Sequence, residues 1–374
     1  MKILYDHQVF STQVHGGVSR YFTELIKKIQ QYPDVSIDVS AIHSENRYFN
    51  QIFPQKSINF LSGRKFPGKY TLNYALNKFH SSRAIKKADY DLFHPTYFDP
   101  YFMKNFPSKP FVVTIYDMIH EKYPESFPPD DKTSQYKYEL IMNSSRIIAI
   151  SEQTKSDILD VCNIEKEKIK VIPLASSLDV HSVRKMKQDS GEYRKKFILF
   201  VGGRRGYKNF HLLLEAVAPI LEESRTLTLI CAGGDPVTVE ERKFMRDLHI
   251  EDRIQHVNPS DEGLADYYKH ACCFVFPSLY EGFGIPILEA FACRCPVVCS
   301  NTGSFPEIAG DAAVYFDPGN IDSVQDALRR IIERGDLREN LIRKGRERNG
   351  KYSWERTAQM THELYVDTMN QFVS

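Results

Sequence analysis

A chain of 374 residues with 49 Lys and Arg against 48 Asp and Glu carries no global field of the kind that gathers nucleic acid. Its 42% hydrophobic content is ample for two domain cores, and no apolar run reaches the roughly 18–20 residues that cross a bilayer. The start, MKILYDHQVF, turns polar too soon for a secretory signal, and seven cysteines, an odd number, fit reduced thiols in a cytoplasmic protein.

The first half alternates short apolar strands with helical segments. KILYD (2–6) starts as a strand, and Gly16-Gly17 opens VSRYFTELIKKIQQY (18–32), where Val18, Tyr21, Phe22, Leu25, Ile26 and Ile29 recur at helical spacing. VSIDVSAIH (35–43), DLFHPTYF (91–98), FVVTIYDM (111–118) and RIIAIS (146–151) read as strands. Ser151 suits the N-cap of the helix EQTKSDILDVC, and KIKVIP (168–173) closes this half. The polar stretch 176–196 reads as a linker. A second alternation follows: FILFVGG, a helix from about His211 to Glu223, LTLICAGG, a helix near Val239–Leu248, RIQHVN, a helix near Leu264–Lys269, and ACCFVFPS (271–278). Two amphipathic helices and a last one, WERTAQMTHELYVDTMNQFV, end the chain. The pattern predicts an α/β protein with two doubly wound, mostly parallel sheets. The boundaries fall at 1–178 and 179–353, with 354–374 as a separate terminal helix.

Between Asn46 and Ala88 there is no acidic residue. Basic Arg47, Lys56, Arg64, Lys65, Lys69, Lys78, Arg83, Lys86 and Lys87 interleave with Phe49, Phe53, Phe60, Phe66, Tyr70 and Tyr74. That composition suits an anionic membrane surface or a polyprenyl-diphosphate, and equally a solvated face over an apolar core. A zinc site at Cys272, Cys273, Cys293, Cys295 and Cys299 would lack paired Cys-x2-Cys knuckles, so these read as small core hydrophobes.

The run Glu281-Gly282-Phe283-Gly284-Ile285-Pro286-Ile287-Leu288-Glu289 is the most informative stretch. It lies on a strand-loop-helix turn, where open α/β sheets bind ligands. Two glycines let backbone amides approach a ligand, and Pro286 suits a first helical turn. A carboxylate near that helix start can accept the two hydroxyls of a ribose. A second turn, VGGRRGYKN (201–209), places Arg204, Arg205 and Lys208 after a strand and before a helix, which suits phosphate binding. By itself such a run is more often a solvated basic turn, and Gly202, Gly203 and the downstream carboxylates favour the phosphate reading.

These motifs resemble those of retaining, nucleotide-sugar-dependent glycosyltransferases of family 4, which have the GT-B fold of two Rossmann-like domains facing across a cleft. Glu281 and Glu289 resemble the family's E-x7-E signature, VGGRRGYKN its phosphate-binding segment, HGGVSRY (15–21) its N-terminal glycine loop, and NTGSFPEIAG (301–310) its Gly-x-x-Pro-Glu segment. The resemblance implies donor-binding roles for Arg204, Lys208, Gly282, Phe283, Gly284 and Glu289, with Glu281 catalytic at the donor sugar. It implies that Gly16 and Gly17 form the acceptor and diphosphate loop. Where many relatives carry a histidine this chain has Tyr116, so Asp117 and His120 are the further catalytic candidates, and His94 is another cleft candidate. The last helix is expected to cross back onto the first domain.

The implied activity is transfer from a nucleotide-diphosphate sugar, GDP-mannose or a UDP-sugar, to a glycan or polyprenyl-diphosphate-linked acceptor in bacterial surface polysaccharide synthesis (O-antigen, capsule or exopolysaccharide). No cofactor and no metal are expected, because basic side chains and helix N-termini would hold the diphosphate. Partners would be the nucleotide sugar, the acceptor and an anionic membrane surface. The enzyme would be cytoplasmic or peripheral on the inner membrane face. A GT-B nucleotide-sugar epimerase and a non-catalytic sugar-nucleotide-binding protein remain alternatives, and the carboxylate pair weighs against the second.

Overall fold

The computed structural model describes residues 1–54, 67–178, 196–204 and 206–373. It forms two compact units: Met1–Glu121, Pro128–Leu174 and Trp354–Ser374 in one, and Lys122–Phe127 and Ala175–Ser353 in the other.

In the first unit the strands are β1 (Lys2–Tyr5), β2 (Ser36–Val39), β3 (Leu92–His94), β4 (Val112–Ile115), β5 (Arg146–Ala149) and β6 (Ile169–Val171). They form parallel sheets β2-β1-β3 and β4-β5-β6, joined edge to edge by a parallel bridge between Phe93 and Phe111. The inner strands β1, β3, β4 and β5 are buried on both faces, as a parallel sheet covered by helices demands, while the edge strands β2 and β6 are partly exposed. The helix Gly17–Ile29 buries Tyr21, Phe22, Leu25, Ile26 and Ile29, the spacing the sequence predicts. Ser151 caps the helix Glu152–Val161 by accepting from the Thr154 amide.

The last helix, Trp354–Val373, belongs to this first unit and packs on Gly17–Ile29. Trp354 lies 6.3 Å from the Tyr21 ring, and His362 stacks on Tyr32 at 4.2 Å. Thr357 donates to the carbonyl of Pro173 at 2.7 Å. Its buried Tyr365 hydroxyl reaches His94 Nδ1 at 2.6 Å and the Tyr5 hydroxyl at 3.0 Å, and His94 Nε2 meets Thr114 Oγ1 at 3.0 Å. This corrects the placing of His94 in a cleft. The ring is fully buried, both nitrogens are engaged, and its work is to tie β1, β3 and β4 to the last helix.

The second unit has β7 (Phe197–Val201), β8 (Thr228–Ala232), β9 (Ile254–Val257), β10 (Cys273–Phe276), β11 (Val297–Ser300) and β12 (Ala313–Phe316). They form one parallel sheet in the order β12-β11-β10-β7-β8-β9. This is the doubly wound dinucleotide-binding order, with the first strand beside the fourth. Helix Phe210–Glu223 packs on Ile321–Glu333 over one apolar cluster, and Ile285–Ala292 packs on Gly335–Asn349. All seven cysteines are free thiols, six of them buried; burial pushes the Cys231 thiol up to about 12.

Burial pulls the imidazole of His94 down to about 3, so the native ring is neutral while the unfolded one titrates near its ordinary value of 6.5. Its contribution to stability is therefore complete above pH 6.5 and is lost as pH falls toward 3, at about 1.4 kcal/mol per pH unit. Between pH 7 and pH 5 this one group should cost about 2 kcal/mol. Denaturant titrations of wild type and His94→Asn check it: the variant should lose about 2 kcal/mol less over that interval. An equal loss in both proteins would contradict the assignment.

Candidate active site

In an open parallel sheet the chain leaves neighbouring strands toward opposite faces only where the strand order reverses, and the crevice opens beyond the carboxyl ends there. In the second unit that point lies between β7 and β10, paired through Ile198 and Cys273. The loop after β7 carries Gly202 to Lys208, and the loop after β10 carries Pro277 to Gly284. The two are stitched together, since the Leu279 amide donates to the Tyr207 carbonyl at 2.8 Å.

Lys208, in the short 3-10 turn Gly206–Lys208, places its ammonium 2.5 Å from Glu281 Oε1. Both side chains are mostly buried, at 22% and 14% exposure. Ser278 donates to the same Glu281 oxygen at 2.7 Å. Lys208 also borders a cavity of about 230 Å³, lined among others by Gly203, Arg204, Gly206, Tyr207 and Thr238. Arg205 lies outside the described residues.

Arg204 lines that cavity but points its guanidinium inward. Nε donates to Glu241 Oε1 at 3.0 Å, and Nη2 donates to Glu241 Oε2 at 3.2 Å and to the Asp235 carbonyl at 2.5 Å. Glu241 is itself the N3 residue of a capping box with Thr238, at the start of the helix Val239–Asp247. So Arg204 pins the loop after β8 against the loop after β7. The two loops pass so closely at Gly234 (φ +74°) that a Cβ there would stand 2.8 Å from the Gly202 carbonyl.

The Glu281 loop is held from behind by the segment after β11. Ser304 Oγ lies 2.7 Å from the Phe283 carbonyl and 2.9 Å from the Glu281 carbonyl, and Thr302 donates to the Leu279 carbonyl at 2.8 Å. Gly284 (φ +103°) caps the helix Ile285–Ala292, with Pro286 in its first turn. Phe283 is buried with its ring 5.9 Å from Tyr352, which leaves only its backbone to face a ligand. Glu289 lies one turn into the helix, nearly buried, and accepts from the Tyr268 hydroxyl at 3.2 Å. Burial and the Glu289 charge hold the Tyr268 phenol far above its ordinary range, so it stays a donor. Glu307 sits in the first turn of Phe305–Ala309.

In the first unit, Gly16 precedes the helix Gly17–Ile29 in extended backbone, and Gln13 Oε1 accepts from the Ser19 amide inside its first turn. A Cβ on Gly16 would stand 2.5 Å from that Gln13 oxygen. Tyr116 is buried against Tyr21 and Phe98, and burial holds its phenol far above the ordinary range. Asp117 Oδ1 accepts from the Ile119 amide at 3.0 Å, which fixes the turn into the short helix Ile119–Lys122. The fully buried Lys137 donates to the Asp117 carbonyl at 3.1 Å and pairs with Glu121 at 2.6 Å. His120 is largely buried, 3.9 Å from Asp131, and burial and the Lys137 charge lower its pKa. An Asp-x-Asp run, Asp89-Tyr90-Asp91, precedes β3 at the amino end of the sheet, where Lys2 engages both carboxylates.

Sequence reasoning missed Ser278, Thr302, Ser304, Glu241, Tyr268 and Lys137. The Thr-x-x-Glu pattern at 238–241 was legible as a capping box. Nothing in the helix Thr133–Asn143 marks Lys137 as its buried member.

Two family models match: Glycosyl transferases group 1 over residues 182–348, and Glycosyltransferase Family 4 over residues 15–179. The chain is 28% identical over 373 residues to the O-antigen chain mannosyltransferase B of Escherichia coli, covering 93% of this chain and 95% of that one. It is 28% identical over 228 residues to the O-antigen chain mannosyltransferase RfbU of Salmonella typhimurium, covering 60% and 61%. Among solved structures, sucrose-phosphate synthase from Thermosynechococcus elongatus superposes with a TM-score of 0.74 at 18% identity, covering 99% of each chain. Anabaena HepE in complex with UDP-glucose gives 0.73 at 17%, covering 98% of this chain and 100% of that one. The fold is GT-B, two Rossmann-like domains. The chain belongs to the family 4 glycosyltransferases and is a sugar-transferring enzyme.

Proposed function

We propose that this enzyme transfers a sugar, with retention at the anomeric carbon, from a nucleoside-diphosphate sugar to a glycan or lipid-linked acceptor during surface polysaccharide assembly. The observation that carries the reading is the meeting of Lys208 and Glu281 at 2.5 Å, one from each loop at the reversal of the sheet. Breaking the sugar–phosphate bond builds charge on the leaving diphosphate. The Lys208 ammonium and the free amides of the turn around Gly203 and Gly206 are the groups that would hold it. Glu281 would accept donor-sugar hydroxyls, and Glu289, steadied by Tyr268, the ribose hydroxyls. Arg204 would act from behind, keeping the phosphate turn in place through Glu241. Asp117 and His120 are proposed for the acceptor side, with Gly16 and Gly17 as the loop before the first long helix.

The two O-antigen mannosyltransferases among the relatives support a mannosyl donor, for which GDP-mannose is the proposal, and the UDP-glucose complex of HepE supports a UDP-sugar as the alternative. The reaction is proposed to need no metal, because Lys208 and backbone amides supply the neutralising charge.

Membrane association is part of the proposal. Among the described residues no helix is long and apolar enough to cross a membrane. Helix Lys69–Lys87 exposes Leu72, Leu76 and Phe79 on one face, and Arg83, Lys86 and Lys87 are exposed toward its end. Lys69 and Lys78 pair with Glu45 and Asp99, and Lys87 lies 3.9 Å from Asp89. Lys56, Phe60, Arg64, Lys65 and Phe66 lie outside the described residues.

Lys208→Ala should lower kcat/KM by a factor equivalent to about 2–4 kcal/mol with an unchanged circular dichroism spectrum. Wild-type turnover in that variant would remove Lys208 from the phosphate site. In the same assay EDTA should leave transfer intact; activity abolished by chelation and restored by Mg²⁺ or Mn²⁺ would contradict metal independence. The protein should sediment with anionic liposomes and be released by salt, since exposed charges are screened within about 10 Å at 0.1 M. Equal binding to neutral vesicles would count against the charged helix end as the docking element.

A further inference from the structure

The 2.5 Å pair between Lys208 and Glu281 has a consequence for product release. An ammonium intended for a diphosphate already holds a carboxylate, and that carboxylate is fixed in place by Ser278 at 2.7 Å. Both partners are largely withdrawn from water, so bulk solvent and salt screen them little. A diphosphate arriving at Lys208 meets the Glu281 charge beside it, and two anions must then share one cation.

Resting on the functional reading above, we propose that Glu281 is the resident counter-ion of Lys208 and competes with the diphosphate for it. The intact donor relieves the competition because its sugar hydroxyls donate to Glu281 and compensate the carboxylate as Lys208 turns to the phosphates. The bare nucleoside diphosphate brings no such donors. Once the sugar has left, Glu281 again draws Lys208 away, and the product is released. One carboxylate thus favours donor over product at a phosphate site that both must occupy.

The experiment is calorimetric titration of UDP and of GDP into wild type, Glu281→Gln, Lys208→Ala and the double variant, with thermal melts confirming that each folds. Glu281→Ala serves if the Gln variant does not fold. Neutralising Glu281 should tighten the nucleoside diphosphate that binds by about tenfold, the scale of one charge-assisted bond, while turnover falls. In the Lys208→Ala background the same change should give no gain. If Lys208→Ala weakens binding but Glu281→Gln leaves it unchanged or weaker, the competition is wrong and the phosphate reading stands. If Lys208→Ala leaves affinity untouched, the phosphate reading falls and the competition with it.

Discussion

Everything at the candidate site depends on one adjacency, β7 beside β10 in a parallel sheet. Right-handed crossovers carry the chain from β7 toward β8 and from β10 toward β11, in opposite directions along the sheet. The two following helices are thereby sent to opposite faces, and the two loops are left side by side over the strand ends. Lys208 and Glu281 are 73 residues apart in sequence, and this topology brings them into contact.

Loops at such a point tend to be mobile, and here each is braced by a different device. The loop after β7 is tied by the Arg204–Glu241 pair, which is almost wholly buried and reaches two carbonyls as well. A buried guanidinium without its carboxylate would be costly, so the pair acts as a single unit. The loop after β10 leans on the hydroxyls of Thr302 and Ser304. The Lys208–Glu281 pair lies where the two loops meet, and the groups behind it are neutral hydroxyls or the internally paired Arg204 and Glu241. In the first unit Lys137 plays a similar part, fixing the turn that carries Asp117 and His120.

Much of this was legible in the sequence. Alternating apolar runs specified the parallel strands, and Ser151 and Pro286 marked helix starts, because caps and periodicity are local properties. The E-x7-E and glycine-rich segments pointed to both loops at the reversal. What the sequence could not show was pairing. A basic turn looks the same whether Arg204 faces a phosphate or Glu241. His94 reads as a strand-end polar group until Tyr365, 271 residues later, closes on it. The Asp-x-Asp run at 89–91 is plain in the sequence, but its position at the amino end of the sheet, engaged by Lys2, is a matter of topology, not of local pattern.

The central claim is that the nucleoside diphosphate of the donor lies over the reversal between β7 and β10. Amide hydrogen exchange with and without saturating nucleoside diphosphate tests it most directly, because ligand contact slows exchange where it stabilises the loop. The account predicts added protection in Gly202–Lys208 and in Leu279–Glu289 together. Protection confined to other segments, with both loops exchanging as in the free enzyme, would contradict it.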